Sequence, residues 1–299
     1  GELSESTIAI DSDPDAVNSV TIGSNVSSVA DTTLQLTKGS TSVEIGSQEV
    51  ENVEVVTSSK QGSTLNVNSE VISGFVLSVE KSDSDLSLQS ESTIEDTTIN
   101  SSAKKNGSVD VDIESKSNNT SITNSKKGTV DATFAQRTEN LNVQNTNKGT
   151  IELDFAKKVV SGELAAGKGA IDASFTGKVV DIKINASDSK NDIILDFNKS
   201  LKGGEINLGR GADVVIFNGA IKDDSTTLDL GNDGKSDFVA FTSPNKVNAP
   251  VTISNFGGLD ILEFGEFPDI DRYTGLELKA LSQSELTDIL GPNIAVEFK

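Results

Sequence analysis

GSVDVDI (107–113), GTVDATF (128–134), GTIELDF (149–155), GAIDASF (169–175) and NDIILDF (191–197) are five copies of one pattern, and they decide the fold. Their starts are separated by 21, 21, 20 and 22 residues (128−107, 149−128, 169−149 and 191−169). Self-similarity at a fixed period of this length is the mark of a repeat architecture, in which each copy is one structural unit stacked on the last. The chain is therefore expected to be a repeat protein.

Each copy carries apolar residues at its third, fifth and seventh positions. The three resulting columns are Val109, Val130, Ile151, Ile171 and Ile193; Val111, Ala132, Leu153, Ala173 and Leu195; and Ile113, Phe134, Phe155, Phe175 and Phe197. A strict period of two with β-branched and aromatic residues predicts a strand that buries one face. A strand that recurs every coil predicts an all-β fold, a parallel β-solenoid with coils of about 20–22 residues.

Weaker copies extend the repeat toward the N-terminus, at GSTSVEI (39–45), GSTLNV (62–67) and DSDLSLQ (83–89). A second alternating segment follows about half a coil after the main strand, as in Leu141/Val143 and Ile182/Ile184. The simplest architecture has two strands per coil, joined by turns of Gly, Asn, Ser and Lys, in some eight coils.

Composition narrows the classes of function. The chain has 46 acidic and 25 basic residues, for a formal charge of −21, and no Cys or His. Disulfides and thiol chemistry are thereby excluded. Nucleic acid is an unfavourable partner because phosphate binding needs clustered Lys and Arg. Membrane insertion is not expected either, because no apolar run reaches the roughly 18 residues of a span. This charge favours either cations or a solvated surface as its counterpart.

The outward positions of the main strand form two further columns rich in carboxylates. They are Asp110, Asp131, Glu152 and Asp172, and Asp112, Thr133, Asp154, Ser174 and Asp196. Three interpretations remain open: a solvated face, a face that binds cations or a partner, and the catalytic acids of a polysaccharide-cleaving enzyme. Catalytic sites of that kind usually recruit His, Arg or Tyr, and this chain has no His, one Tyr and three Arg. We therefore expect no enzymatic activity.

The pattern changes after residue 200. The segments LGRGADVVIF (208–217), LDLGNDGKSDFVAF (228–241) and FGGLDILEF (256–264) each place glycine ahead of an aspartate and an alternating strand. Glycines permit tight turns, and Asp carboxylates with turn carbonyls are hard oxygen ligands suited to Ca²⁺. The candidate calcium ligands are Asp213, Asp229, Asp233, Asp237 and Asp260.

The middle segment has a further signal. Asp229, Asp233, Gly234 and Asp237 fall at positions one, five, six and nine of an EF-hand-like loop, although Gly231 and Ala240 occupy positions three and twelve. The alternative is a Gly/Asn/Asp turn in a β-coil that needs no metal.

These glycine- and aspartate-rich segments resemble the calcium-binding repeats of RTX proteins, which are exported by type I secretion. Gly209, Gly211 and Asp213 match the G-x-G-x-D part of that motif, and the FGGLD segment matches it less completely. The aspartates lie 24 and 23 residues apart (237−213 and 260−237), where the RTX repeat has nine. The resemblance implies bound calcium and a secreted protein.

Residues 39–265 also resemble the β-solenoids of bacterial surface-layer proteins secreted by the same route. The resemblance rests on the Thr/Ser/Asn-rich alternating strands, on VENVEVV (50–56), on the cysteine-free acidic composition and on the RTX-like end. It implies an extracellular structural protein that assembles with itself into a surface layer, sheath or filament, with a cell-surface polysaccharide as a second partner. A calcium-stabilised adhesin or carbohydrate-binding module is the alternative, and a polysaccharide-active β-helix enzyme is the third.

The chain divides, on these patterns, into four segments. They are an N-terminal cap or assembly segment (1–38), the repeat solenoid (39–200), its RTX-like continuation (201–265) and a C-terminal segment (266–299). SQSELTDIL (282–290), closed by Gly291-Pro292, predicts a short helix with a Ser-x-x-Glu start. With the apolar end that follows, this segment resembles an uncleaved type I secretion signal, a role compatible with that of a solenoid cap. We expect residues 1–38 or the last 35 or so to contact a neighbouring subunit.

Overall fold

The computed structural model describes residues 1–11, 13, 16–23, 25–58, 62–80, 84–102, 107–242, 246–265 and 270–299. It confirms the predicted fold class: the chain is a parallel β-solenoid of about 11 turns with about 22 residues per coil. The estimate of eight coils was too low because residues 1–38 and the region after residue 200 also wind into coils. Asp83 and residues 266–269, which belong to predicted segments, lie outside the described residues.

Two compact units divide the chain, Gly1–Ala156 and Lys157–Lys299. The transition predicted at residue 200 falls inside the second unit, and residues 1–38 are part of the first. The predicted roles of the terminal segments in capping, secretion and assembly stay predictions.

In the first unit, the main strand of every coil after the first coincides closely with a predicted repeat copy, and the first coil has a main strand, Val17–Ile22, where no copy was predicted. These strands are β3 (Val17–Ile22), β6 (Ser40–Ile45), β9 (Ser63–Ser69), β12 (Ser84–Ser90), β15 (Ser108–Ile113), β18 (Thr129–Phe134) and β21 (Thr150–Phe155). Successive main strands pair in parallel, so that Val109 lies beside Val130 and Val130 beside Ile151. The inward columns are buried as predicted, and the Phe134 and Phe155 rings stack with their centroids 4.9 Å apart.

The opposite side of each coil in the first unit consists of two short strands where one was expected. They are β1 (Glu2–Ser4) and β2 (Thr7–Ile10), β4 (Ser28–Ala30) and β5 (Thr33–Leu36), β7 (Glu49–Glu51) and β8 (Glu54–Thr57), β10 (Val71–Ser73) and β11 (Val76–Val79), β13 (Ile94–Glu95) and β14 (Thr98–Ser101), β16 (Ser117–Asn118) and β17 (Ser121–Asn124), and β19 (Thr138–Glu139) and β20 (Asn142–Asn145).

A left-handed residue breaks this side of every coil. The residues with positive φ at the break are Glu5, Asp31, Asn52, Gly74, Asp96, Asn119 and Asn140. Asn and Asp tolerate this conformation better than other side chains, and here they also bond along the stack: Asn119 Nδ2 donates to Asp96 Oδ1 at 2.9 Å. The residue that follows the break points inward, as the buried Val53, Phe75 and Thr120 show.

We expect Asn119→Val to lower the free energy of unfolding by about 1–2 kcal/mol, because a β-branched residue is strained at the φ of +55° adopted there. Asn119→Gly is the matched control, since it also removes the amide but accepts this φ without strain. Thermal melts of the two variants report the difference. If Val and Gly melt together, the left-handed conformation at this position is not required.

The second unit has one long strand on each side of the coil. The strands are β22 (Val159–Ala166), β23 (Ala170–Phe175), β24 (Val179–Asn185), β25 (Ile193–Phe197), β26 (Leu201–Asn207), β27 (Val214–Phe217), β28 (Ile221–Asp229), β29 (Phe238–Phe241), β30 (Val251–Phe256), β31 (Ile261–Phe264), β32 (Asp271–Thr274) and β33 (Ile294–Phe298). The rings of Phe175, Phe197, Phe217, Phe241 and Phe264 stack in one column, with neighbouring centroids 4.9–5.5 Å apart.

The C-terminal residues close the last coil of the second unit. Strand β32 pairs antiparallel to β31, and β33 pairs parallel to β30. Two helices, α1 (Gly275–Lys279) and α2 (Gln283–Leu290), lie between these strands in the chain and bury Leu278, Leu286 and Leu290. The predicted helix is confirmed, with Ser282 as its N-cap and Glu285 completing a capping box. Helix α1 was not predicted from the sequence.

Candidate functional site

Three of the five candidate ligands form a buried column in the second unit. Strand pairing sets Val214 beside Phe238 and Phe238 beside Ile261, so that the preceding residues, Asp213, Asp237 and Asp260, stack one above the next. We call these three residues the aspartate ladder. Their exposed fractions are 0%, 1% and 0%. A buried, unpaired charge costs folding free energy, so these carboxylates need hydrogen-bond donors, protons or cations as partners.

The ladder replaces an apolar column of the repeat. Each aspartate lies four residues before a stacked phenylalanine (217−213, 241−237, 264−260), and the same offset from Phe197 gives Ile193. Ile193 in turn pairs with Ile171 of the preceding coil. The inward column of Val and Ile therefore continues as aspartate after residue 200. These carboxylates point into the solenoid and not to its surface.

One oxygen of each ladder carboxylate holds the start of the strand in the preceding coil. Asp213 Oδ1 accepts from the N–H of Ile193 at 2.8 Å, Asp237 Oδ1 from the N–H of Asp213 at 2.9 Å, and Asp260 Oδ1 from the N–H of Asp237 at 3.1 Å. A carboxylate that accepts a backbone N–H makes a charge-assisted hydrogen bond, which is stronger than a neutral one. The ladder thus fastens successive coils where their strands begin.

The glycines of the predicted motif let the backbones of adjacent turns come close together. Gly231 has a φ of +77°, and a Cβ added there would lie 2.0 Å from the carbonyl oxygen of Gly209. Any side chain at this position would both strain the backbone and collide with the turn below. The spacing of glycine and aspartate is therefore explained by turn geometry, with or without a metal.

The second oxygens of Asp213 and Asp237 make no hydrogen bond of normal geometry within the described residues, although the N–H of Gly209 interacts with the Asp213 carboxylate and partly offsets the rise in pKa that burial causes. Asp213 Oδ2, Asp237 Oδ2 and Asp233 Oδ2 are each buried without a hydrogen bond. Burial, followed by the charges of Asp192 and Asp233, raises the pKa of Asp213 to about 6. Burial, followed by the charges of Asp260, Asp213 and Asp233, raises the pKa of Asp237 to about 7. A proton or a cation would relieve each of these groups.

The remaining candidates are already occupied by protein donors. Asp260 Oδ2 accepts from the N–H of Gly257 at 2.5 Å. Asp229 Oδ1 accepts from the N–H of Gly231 at 2.9 Å and from Asn255 Nδ2 at 2.7 Å. Of the five predicted ligands, only Asp213, Asp233 and Asp237 keep a buried oxygen without a hydrogen bond of normal geometry.

The donor chemistry at these three residues fits Ca²⁺, which takes six to eight oxygen ligands including waters and carbonyls. Their placement fits less well. Within the described residues, no group of three or more acidic, His or Cys side chains converges closely enough to hold one ion. An ion at this site would need water and backbone carbonyls for most of its shell.

Two residues of this region were not singled out from the sequence. Asp192 Oδ1 accepts from the N–H of Ala212 at 2.7 Å and adds its charge to the surroundings of Asp213. Ser189 is fully buried, and its Oγ donates to the carbonyl of Gly169 in the preceding coil at 2.8 Å. Neither of these two contacts has a signal in the sequence pattern. By contrast, the four-residue offset between each ladder aspartate and the phenylalanine column could have shown that the aspartates point inward.

Comparison of the chain with protein-family models, with curated proteins and with solved structures gives no match in any of the three. The functional argument therefore rests on the geometry of this chain. Across the described residues, the helices are too short and too polar for any of them to cross a membrane.

Proposed function

We propose that this chain is a secreted structural protein that assembles with itself into a surface layer, sheath or filament, with calcium stabilising its second unit. No catalytic activity is assigned to it. The observation that carries this proposal is the first described coil of the solenoid, in which β1, β2 and β3 each pair with one strand only and the inward apolar residues are half-buried. The resemblance to type I-secreted surface-layer proteins supports the extracellular location.

The interior columns are open at the first coil. Leu3, Ile8 and Ile10 point inward but are only half-buried. The residues that pair with them in the next coil, Val29, Leu34 and Leu36, are at most 1% exposed. Within the described residues, no layer covers these three side chains on the side away from Val29, Leu34 and Leu36. Covering it would be favourable in proportion to the apolar area removed from water.

The strands of this coil also leave backbone groups unpaired. Within the described residues, β1, β2 and β3 each pair with one strand only, on the side of the second coil. The N–H groups of Thr33 and Thr37 donate to the carbonyls of Ser6 and Ile10. Along a parallel strand, the backbone N–H and C=O groups of successive residues point alternately to one side and to the other. Those of Ala9 therefore point to the open side. We call β1, β2 and β3 the open edge.

A second copy of the chain is the partner that fits the open edge. It offers coils of the same width, with inward apolar columns and outward polar residues in the same alternation, and exposed edges recruit such strands. The C-terminal residues of the second unit, by contrast, close their coil with β32, β33 and two helices. Of the two segments expected to make contacts between subunits, we therefore favour residues 1–38. Contact between the open edges of two copies forms a closed pair, so growth into a layer or filament requires a second contact on another face of the coils.

Calcium enters the proposal through the buried oxygens of Asp213, Asp233 and Asp237 that make no hydrogen bond of normal geometry. A bound divalent cation would neutralise the carboxylates of Asp213 and Asp237, whose pKa values are raised by burial and by the charges of neighbouring carboxylates. A ligand that binds only the folded state adds stability in proportion to the logarithm of its concentration. Calcium would therefore stabilise the second unit where extracellular concentrations are millimolar.

The double variant Ala9→Pro/Ser19→Pro tests the open edge. Both side chains are exposed, and proline removes an N–H that faces the open side without removing a bond to the second coil. We expect the parent to form oligomers in sedimentation velocity experiments with calcium present, and the double variant to stay monomeric with an unchanged circular dichroism spectrum.

Ala9→Ser/Ser19→Ala is the matched control, because it changes the same side chains and keeps both N–H groups. We expect it to assemble like the parent. A parent that stays monomeric at high concentration in calcium would refute self-assembly. Equal assembly of the proline variant and the control would refute the open edge as the contact.

A further inference from the structure

A polar groove lies at a corner of the first unit, on strands that begin with β6, the neighbour of β3 in the open edge. Its volume is about 590 Å³, and it is bordered by the ends of β6, β9 and β12 and by the turns that follow β6 and β9. Pairing between β6 and β9 ends at Ile45 and Val67, whereas pairing between β9 and β12 continues to Ser69 and Ser90. The coils diverge at this corner and leave the groove between them.

The corner is held by its own hydrogen bonds. Ser69, which is 4% exposed, donates from Oγ to the carbonyl of Gln48 at 2.9 Å. The N–H of Val71 donates to the same carbonyl at 3.1 Å. The groove is therefore set by the backbone of the turns, and does not depend on the rotamers of long surface side chains.

Amide side chains dominate the lining and are arranged in register. Asn66 lies between Glu44 and Ser87 in one outward column, and Asn68 lies beside Gln89 in the next. Gln48 and Glu70 add a fourth amide and a second carboxylate from the turns. Across the described part of the chain, the amides of Gln48, Asn66, Asn68 and Gln89 make no hydrogen bond to protein.

This chemistry selects one class of ligand. An amide offers two donors and an acceptor, and a carboxylate offers acceptors, a combination that matches hydroxyl groups, each of which donates and accepts. The described lining contains no Lys or Arg to hold a phosphate, sulfate or uronate, and two carboxylates would repel such groups. It contains no aromatic side chain on which a base could stack.

We infer that this groove binds a neutral polysaccharide through the amides and carboxylates on β6, β9 and β12 and on the turns after β6 and β9. The inference rests on the proposed extracellular role, since it supplies the glycan partner of a surface-attached protein. A groove open at the surface admits a continuous chain, and the stacked columns present polar side chains at the spacing of neighbouring strands, about 4.8 Å.

Affinity electrophoresis through gels that contain dextran, mannan or a neutral galactan tests the inference. We expect retardation by at least one of the three, and at least tenfold weaker affinity for the triple variant Asn66→Ala/Asn68→Ala/Gln89→Ala. The matched control is Gln35→Ala/Gln144→Ala, which removes exposed amides on β5 and β20, outside the groove. It should bind like the parent.

Three results would overturn the inference: no retardation by any of the three polysaccharides, equal affinity of the groove variant and the parent, or tighter binding of polygalacturonate than of the neutral chains. The measurement is repeated with Ala9→Pro/Ser19→Pro, which is expected to be monomeric. Sedimentation of the same samples reports assembly separately, so a failure of glycan binding is distinguished from a failure of self-assembly.

Discussion

Phe217→Ala is expected to lower the free energy of unfolding by about 3–5 kcal/mol, the usual cost of removing a buried phenylalanine and leaving a cavity. Phe217 is 1% exposed, and its ring stacks between Phe197 and Phe241 with centroid distances of 5.3 and 5.0 Å. The coils above and below are fixed by hydrogen-bonded strands and cannot close the gap. Chemical denaturation followed by circular dichroism measures the loss.

Phe217→Leu is the matched control, because it keeps an apolar side chain in the column and loses only part of the packing. We expect its loss to be well under half that of the alanine variant. If Phe217→Ala melts within a degree or two of the parent, the stacked column does not stabilise the solenoid and the register of these coils is wrong.

The second large effect is a dependence of stability on pH that runs opposite to ordinary acid denaturation. In the unfolded chain an Asp has a pKa near 3.9, whereas burial raises the pKa of Asp213 to about 6 and that of Asp237 to about 7. Between about pH 4 and pH 7 the folded state therefore binds more protons than the unfolded state. Stability then falls as the pH rises through this window.

Without calcium, we expect the parent to lose on the order of a few kcal/mol between about pH 5 and pH 8, since each unit of pKa shift corresponds to about 1.4 kcal/mol. Asp213→Asn/Asp237→Asn is the comparison, because Asn keeps the acceptor for the backbone N–H and carries no charge. The repulsion among all other carboxylates is shared by both proteins. The difference between their melting curves across pH therefore isolates the ladder, and identical curves would show that these groups ionise normally in the folded protein.

Calcium should restore the stability that the folded protein loses near the upper end of this pH range. At a hundredfold excess over Kd a ligand of the folded state adds about 2.7 kcal/mol, and protons compete with the metal at about pH 5. We expect millimolar Ca²⁺ to raise the melting temperature of the parent at about pH 8, to do so less at about pH 5, and to have little effect on the double Asn variant. Mg²⁺ at matched ionic strength should act less, because it demands a regular octahedral shell. Equal responses of parent and variant would mean general screening.

The main strands could be predicted from the sequence because a solenoid repeats the same inward columns, and five copies make the register unambiguous. The left-handed residue on the opposite side of the coil was missed because there is only one per coil. The second unit has such residues too, at Ser161 and Asp181, within strands that remain continuous. Asn52 and Asn119 adopt this left-handed conformation, but in the sequence each looks like an ordinary turn residue. The helix α1 was missed because five residues are too few for a helical period to be visible.

The sequence predicted the aspartates after residue 200 as candidate ligands, but it did not predict that their side chains point into the solenoid. Next to glycines, Asp213 and Asp237 fit a surface loop that binds calcium, and this pattern says nothing about burial. Only their offset from Phe217 and Phe241 places them in the inward column, where desolvation raises their pKa. Which carboxylate oxygens find backbone donors depends on the approach of turns in different coils, and no local pattern encodes that distance.

Electron microscopy of the purified protein, in millimolar Ca²⁺ and in excess chelator, tests the proposed function most directly. With calcium, we expect the parent to form ordered sheets or fibres, and Ala9→Pro/Ser19→Pro to remain as separate particles. With chelator at about pH 8, the arrays of the parent should be lost or disordered. Dispersed particles of the parent under both conditions, at high concentration, would contradict a self-assembling structural role.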